Sequence, residues 1–306
     1  MRLQRRHMEV LVTIADSGSI HKAAQQLGIS QPAVSKVLGD VEQGLGARLF
    51  ERTAAGSALT DKGQALVTQA RFLVRSIERM ELTAQSEAAV VRLGCIPRSM
   101  RTLMPHIVNR VSEQAHFRLQ VVEDASTALH AAIQRASLDF AVMRHVGGED
   151  AIGRQLVVER LYEERPLVVA SARHPLARRR QVALQSLLQH RWALTATETT
   201  SRAVLDRFCQ EQGMPVIQPF VETRSLDTSA ALVTSTDLLS LLPESVARLY
   251  EGMGLVSVLR VVPALPSTAV LLVSDPQAMH DPTLAAFRQL VLDAATSARE
   301  GLAQRS

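Results

Sequence analysis

The chain has 306 residues, too long for one ordinary core and suited to two or three domains; hydrophobic residues make up 46% and aromatic ones 3%, so its cores are built from Leu, Val, Ala and Ile. The opening MRLQRRHMEV is too charged for a secretory leader, and no run approaches the roughly 20 apolar residues of a membrane span. Cys95 and Cys209, far apart, give neither a disulfide framework nor metal spacing and fit a reducing cytoplasm, while the net charge of +4 sits mainly in residues 1–85, with 11 Lys and Arg against 8 Asp and Glu.

That basic first quarter holds all three lysines, Lys22, Lys36 and Lys62, and a small basic module is what phosphate binding needs. Residues 19–27, SIHKAAQQL, place Ile20, Ala23, Ala24 and Leu27 on one face of a short helix, with Ser19 as its N-cap. Gly28 suits a left-handed residue that stops the helix. Ser30 can cap the next one, with Pro32 in its first turn, where a missing N–H costs little. The second helix is predicted to run to about Leu45, burying Val34, Val37, Leu38, Val41 and Leu45 and exposing Gln31, Ser35 and Lys36. Two helices joined by a tight glycine turn form a helix-turn-helix, whose second helix enters the major groove. An ordinary helical hairpin with a solvated face is the plainer alternative. In GARLFERTAAGSALT, residues 46–60, Leu49-Phe50 and Leu59 about a glycine predict a short hairpin, or wing, with Arg52 at its base.

SIHKAAQQLGISQPAVSKVLGDVEQGLGARLFERT followed by LTDKG resembles the DNA-binding domain of LysR-type transcriptional regulators, over almost all of residues 1–65. The resemblance implies a winged helix-turn-helix that binds promoter DNA through Ser30, Gln31, Pro32, Ser35 and Lys36 of the recognition helix and Arg52 of the wing. The sequence departs from the family at Ala54, Ala55, Gly56, Ser57 and Ala58, where further basic residues are common. Fewer cations there imply fewer phosphate contacts and a shallower salt dependence.

Thr60-Asp61 opens a third helix with a cap and an acid at its positive end. Leu66, Ala70, Leu73, Ile77, Met80 and Ala84 recur at spacings of 4 and 3, a coiled-coil seam of nearly three heptads. A single-chain amphipathic helix has the same pattern; the resemblance implies a linker helix that pairs two subunits, with two recognition helices reading two half-sites.

From about residue 90, apolar strand-like runs alternate with helical patterns. Strands are expected at 90–96, 117–123, 138–143, 165–171, 192–195, 238–243 and 268–274, and helices near 99–113, 126–136, 200–212, 225–235, 243–251 and 282–298. The alternation argues an α/β architecture with mostly parallel sheets, as one sheet or two. LVVERLYEERPLVVASARHPLA, residues 156–177, is strongly family-like. The resemblance implies two Rossmann-like subdomains joined by crossovers at 158–165 and about 259–268, in the manner of type 2 periplasmic binding proteins, with an effector cleft between them. The expected division is α+β overall: a DNA-binding domain over 1–60, a linker helix over 61–87 and an effector domain over 88–306. Within the last, subdomain I takes 88–160 and 267–306 and subdomain II takes 161–266.

Open α/β sheets bind ligands beyond strand ends, beside helix N-termini whose free N–H groups favour anions. Three junctions carry hydroxyls: Ser99 and Met100, Ser126 and Thr127, and Thr199, Thr200, Ser201 and Arg202. They can converge on a carboxylate, with Arg98, Arg144 or Arg202 as its charged partner. Taken singly, each Ser or Thr is equally a plain N-cap. The histidines show no ligand spacing, His174-Pro175 resembles a family loop feature, and the cysteines read as buried and inert; no metal and no cofactor is expected. Arg178, Arg179 and Arg180 read as a solvated loop.

The sequence thus predicts a cytoplasmic, non-enzymatic transcriptional regulator, dimeric or tetrameric, that binds promoter DNA and a small organic acid and meets no membrane. The alternatives are a solute-binding protein or enzyme on the same scaffold, and a regulator without ligand control. No nucleophile–base set or phosphate loop supports the first of these.

Overall fold

In the computed structural model, residues 2–53, 56–85, 88–114, 117–145, 156–197 and 199–303 are described. The chain divides into two units, residues 1–90 with 134–137, and residues 91–133 with 138–306.

The first unit runs α1 (Arg5–Ser17), α2 (Ile20–Leu27), α3 (Gln31–Leu45), β1 (Phe50–Thr53), β2 (Gly56–Leu59) and α4 (Asp61–Gln85). Val34, Leu38 and Val41 of α3 close over Ala23 and Ala24 of α2 and over Val10, Leu11 and Ile14 of α1. The two alanines let the helices approach closely. Gly28 ends α2 at φ 65°, a left-handed conformation that glycine adopts without steric cost. Ser19 holds the N-cap position of α2 without a side-chain cap bond, whereas the Ser30 hydroxyl accepts from the Ala33 N–H at 3.4 Å. Leu45, expected on the buried face, is 40% exposed: it is the last residue of α3, beyond the reach of α1 and α2. α1 was absent from the pattern reading, although Val10, Leu11 and Ile14 carry a helical stripe.

The hairpin forms with Phe50 opposite Leu59 and Thr53 opposite Gly56. Arg52 pairs with Ser57, one step from the turn, so it belongs near the tip and not at the base; the four-residue strands put Phe50 and Leu59 there instead. Its side chain, and Ala54 and Ala55, lie outside the described residues. The hairpin is held from three sides. Glu42 Oε1 accepts from the N–H groups of Leu49 and Phe50 at 2.7 and 3.1 Å, and Ser57 N–H donates to the Gly18 carbonyl at 2.8 Å. Thr60 caps α4, its hydroxyl accepting from Gly63 N–H at 3.0 Å while donating to the Arg48 carbonyl at 2.9 Å. α4 packs along α1, where Arg71 pairs with Asp16 and Arg5 with Glu81.

The second unit holds two five-stranded sheets. The first has strands β3 (Ala89–Cys95), β4 (Phe117–Glu123), β5 (Phe140–Met143), β6 (Val157–Glu164) and β14 (Thr268–Ser274), in the order β4-β3-β5-β14-β6. The second has β7 (Pro166–Ser171), β9 (Trp192–Thr195), β10 (Val221–Thr223), β11 (Leu239–Pro243) and β12 (Val256–Val258), in the order β10-β9-β11-β7-β12. The short strands β8 (Val182–Ala183) and β13 (Val261–Val262) form a separate parallel pair. The sheets are mixed and not mostly parallel. β14 runs antiparallel to β5 and β6, and β7 antiparallel to β11 and β12. These are the two strands that the chain enters from the other sheet, so no crossover helix within their own sheet sets their direction.

Helices α5 (Pro97–Thr102), α6 (Met104–Ser112), α7 (Ser126–Gln134) and α11 (Pro282–Ala303) accompany the first sheet, and α8 (Thr200–Glu211), α9 (Leu226–Ser235) and α10 (Glu244–Gly252) the second. The single helix expected over 99–113 breaks at Leu103, because Pro105 has no N–H to continue the ladder and instead opens α6. The first core centres on Phe287 of α11, fully buried, with ring centroids 5.6 Å from Phe140 and 5.8 Å from Phe117. The second centres on Trp192, whose indole N–H donates to the Leu187 carbonyl at 3.0 Å. His174 is structural: its Nδ1 accepts from Leu176 N–H at 3.1 Å and starts a 3-10 turn. Arg178, Arg179 and Arg180 are exposed.

Candidate functional site

The first candidate surface is the start of α3. Its buried stripe leaves Ser30, Gln31, Pro32, Ser35 and Lys36 outside, all exposed. Gln31 and Ser35, and Pro32 and Lys36, are four apart and stack in adjoining rows. The row offers amide, hydroxyl and ammonium groups of the kinds that meet base edges and phosphates.

The second is a cavity of about 470 Å³ in the second unit, lined from both sheets. From the first sheet come the β4–α7 junction with Ser126 and Thr127, Arg98 in the first turn of α5, and Arg144, which follows β5 directly. From the second come Thr195 at the end of β9 and Thr199, Thr200 and Ser201 at the start of α8. Apolar walls are supplied by Ile96, Leu226 and Leu241. Two helix starts therefore face one volume, each with N–H groups its own helix leaves open.

Three predicted residues are not brought there. Ser99 is fully buried, its hydroxyl 3.5 Å from the Tyr162 hydroxyl, and Met100 packs against the first core. The α5 turn points both away from the cavity and leaves Arg98 on its lining. Arg202 is 3% exposed and already engaged: its Nε donates to both Asp206 oxygens at 2.8 and 2.9 Å, and its Nη2 to the Ile217 carbonyl at 3.0 Å. The acid one turn further along α8 claims it.

Charge is the strongest feature of the cavity. Arg144 is 1% exposed, yet its Nε and Nη2 have no hydrogen-bond partner; Arg98 is 5% exposed, and its Nη1 and Nη2 have none. Burial first, and then repulsion from Arg98, pull the Arg144 guanidinium well below the usual arginine range, against attraction from Glu164 and Tyr162. Glu164, at the end of β6, is the nearby carboxylate. Its Oε2 lies 3.2 Å from Arg98 Nε, and its Oε1 accepts from the Ser245 hydroxyl at 2.6 Å. One carboxylate thus serves two buried guanidiniums, and half of that carboxylate is spent on the start of α10. Arg98, Arg144 and Glu164 together carry one net positive charge, and the two guanidiniums lack acceptors, while Glu123, Asp124 and Arg224 also line the cavity.

Glu164 and Thr195 escaped the sequence reading. Past a register shift at Leu161, β6 turns Tyr162 and Glu164 to one inward face, a signal masked by that irregularity and by the acidic run around them. Thr195 closes β9, and its residue type alone does not set it apart from the hydroxyl cluster that follows.

The thiols are not part of a reactive centre. Burial, then Glu123, push the Cys95 thiol up to about 12, and burial raises Cys209. Among the described residues, no group of three or more His, Cys, Asp or Glu side chains can hold a metal ion, and no helix is long and apolar enough to cross a membrane.

Comparison with known proteins finds relatives over both parts of the chain. The family model of bacterial regulatory helix-turn-helix proteins of the LysR family matches residues 5–64, and that of the LysR substrate binding domain matches residues 84–296. The HTH-type transcriptional regulator TdcA of Escherichia coli is 31% identical over 242 residues, 78% of this chain and 76% of that protein. The uncharacterized HTH-type transcriptional regulator YdcI of Escherichia coli is 29% identical over 255 residues, 81% of each. Two solved structures share the fold. ArgP from Mycobacterium tuberculosis matches with a TM-score of 0.75 at 17% identity, over 96% of this chain and 98% of that one. Full-length LysG from Corynebacterium glutamicum, with bound effector Arg, matches with 0.69 at 20%, over 96% and 99%.

Proposed function

Because the chain belongs to the LysR family of DNA-binding transcriptional regulators with an effector-binding domain, we propose that its cleft senses a small organic acid and that the start of α3 reads the promoter. The observation that carries the effector reading is Arg144: a buried guanidinium on the cavity lining with two unpaired nitrogens, beside a second under-satisfied arginine. A carboxylate supplies the missing charge and accepts from both. The hydroxyls and helix-start N–H groups of Ser126, Thr127, Thr200 and Ser201 surround it, beside Thr199, and of the three candidate charged partners Arg98 and Arg144 take the role and Arg202 does not. Neutral ligands leave the arginines unpaired in a closed cleft, a cost a carboxylate avoids.

On this reading the protein acts by binding and not by catalysis, in the cytoplasm, as a dimer or tetramer joined through α4. Leu73 and Met80 of the proposed seam are 45% and 72% exposed in the single chain, Leu66 and Ile77 are half-buried, and Ala70 is buried. Ser30, Gln31, Pro32, Ser35 and Lys36, with Arg52 of the wing, form the proposed DNA contact. For the acid to regulate, it must bind two arrangements of the protein with different affinity.

The test is a footprint on DNA fragments that the protein itself selects from its genome, with and without added carboxylates. Gln31→Ala is expected to lose protection at unchanged folding. Arg144→Met is expected to keep protection and lose any change in the footprint caused by the acid. Protection by Gln31→Ala equal to wild type contradicts the recognition-helix assignment.

A further inference from the structure

Hydroxyl protons in the cavity are unevenly committed, and Ser126 and Thr195 show the two cases. On the first-sheet wall, Ser126 Oγ accepts from the Arg144 backbone N–H at 3.1 Å, which leaves its own proton to donate. With Arg98 and Arg144, that wall supplies charged donors, beside the carboxylates of Glu123 and Asp124 at the end of β4. On the second-sheet wall, Thr199 Oγ1 lies 2.8 Å from the Ala196 carbonyl, an acceptor, so the single Thr199 proton goes there. Thr195 Oγ1 lies 2.8 Å from Thr199 Oγ1. With the Thr199 proton spent, Thr195 must be the donor in that pair. Among the described residues no other group bonds to the Thr195 hydroxyl, and Thr195 lines the cavity. What Thr195 offers a ligand is therefore its lone pairs alone.

We propose that the cleft selects carboxylates bearing a hydrogen-bond-donating substituent, a hydroxyl or an ammonium, with Thr195 as the acceptor that reads the substituent and Arg98, Arg144 and Ser126 holding the carboxylate. This rests on the carboxylate reading above and adds a second requirement to it. An acid with no donor dries the Thr195 lone pairs without replacing water, and an alcohol or amine with no carboxylate leaves Arg144 unpaired. The site thus discriminates at two points, the buried arginines and the half-buried Thr195 hydroxyl, by leaving one of them unsatisfied with each wrong ligand. Glu123 and Asp124 also line the cavity, so an ammonium is as acceptable in it as a hydroxyl.

The experiment is calorimetric titration of the full-length protein with three matched sets: propionate, lactate and alanine; succinate, malate and aspartate; isovalerate, 2-hydroxyisovalerate and valine. In at least one set a substituted acid is expected to bind about tenfold or more tighter than its unsubstituted parent. Which member binds separates hydroxyl from ammonium. Thr195→Val is expected to bring that ratio to about one, and Thr195→Ser, which keeps the hydroxyl, to restore it. A purely structural role for Thr195 shifts all three affinities together and leaves the ratio intact. Equal binding with and without the substituent, or a ratio that survives Thr195→Val, overturns the donor reading and leaves the carboxylate reading standing. Binding by none of the nine acids overturns both.

Discussion

Arg144 and Arg202 show how differently two buried arginines behave. Both lie at the end of a strand or the start of a helix, and both were candidate anion partners. Arg202 meets Asp206 four residues on, within the same helix, so its charge is settled inside the domain. Arg144 has no such neighbour in sequence, and its need for an acceptor follows only from what the fold places around it. Ser126, Thr127 and the 199–201 cluster were legible because a polar residue at a strand–helix junction is pinned by local geometry. Ser99 was misjudged because one helical turn decides whether a side chain faces the cavity or the core, and boundaries set by pattern are uncertain by that much. At this scale the cysteines give a clear expectation. With its thiol buried and pushed up to about 12, Cys95 stays protonated at pH 8. Iodoacetamide at pH 8 is expected to label it only after unfolding; labelling of the native protein at the rate of free cysteine contradicts its assignment as inert. The same shift has a sign for stability. The unfolded chain loses the Cys95 proton near pH 8.5 while the folded one keeps it, so this group's contribution to stability falls as pH rises from about 8.5 toward about 12.

Elements with strong local chemistry were read closely. Gly28, Ser30 and Pro32 bracket the turn into α3, and each acts through its own backbone or cap. Thr60-Asp61 opened α4 for the same reason. The failures are elements without such chemistry. β8, β10, β12 and β13 are two or three residues long, too short to show a period. The break at Leu103 depended on weighing Pro105 above an otherwise continuous apolar stripe. Gly63 carries a requirement that no pattern reveals: a Cβ there would fall on the Leu49 carbonyl oxygen, so the start of α4 needs glycine to lie against the wing. Gly63→Ala is expected to destabilise the first unit by about 1–3 kcal/mol and to weaken DNA binding with it. Urea unfolding followed by far-UV circular dichroism checks this, and an unchanged midpoint contradicts the packing described.

For the whole molecule, periodicity alone left one sheet or two undecided, because alternation of strands and helices is the same in both. The resemblance to LysR-type regulators carried that choice. Strand direction was then misjudged, since the reversed strands β7 and β14 are reversed by the path of the chain between sheets and not by any residue in them. Assembly belongs to this scale. Met80 at 72% exposure and Leu73 at 45% are large apolar groups held in water by a single chain. Leu73→Asp with Met80→Asp is expected to lower the mass seen in sedimentation to that of a smaller species without changing the fold, and an unchanged mass contradicts pairing through this seam.

Thermal unfolding reads whether an organic acid fills the Arg98–Arg144 cleft. Full-length protein and Arg144→Met are heated with a panel of carboxylates, sugars, amides and neutral alcohols. A ligand at a hundred times its Kd adds about 2.7 kcal/mol, or about 5–10 °C for a domain of this size. At least one carboxylate, and no neutral compound, is expected to raise the midpoint of the wild type by such an amount and to leave Arg144→Met unmoved. A shift given by a neutral compound alone, or a carboxylate shift of equal size in Arg144→Met, contradicts the carboxylate reading.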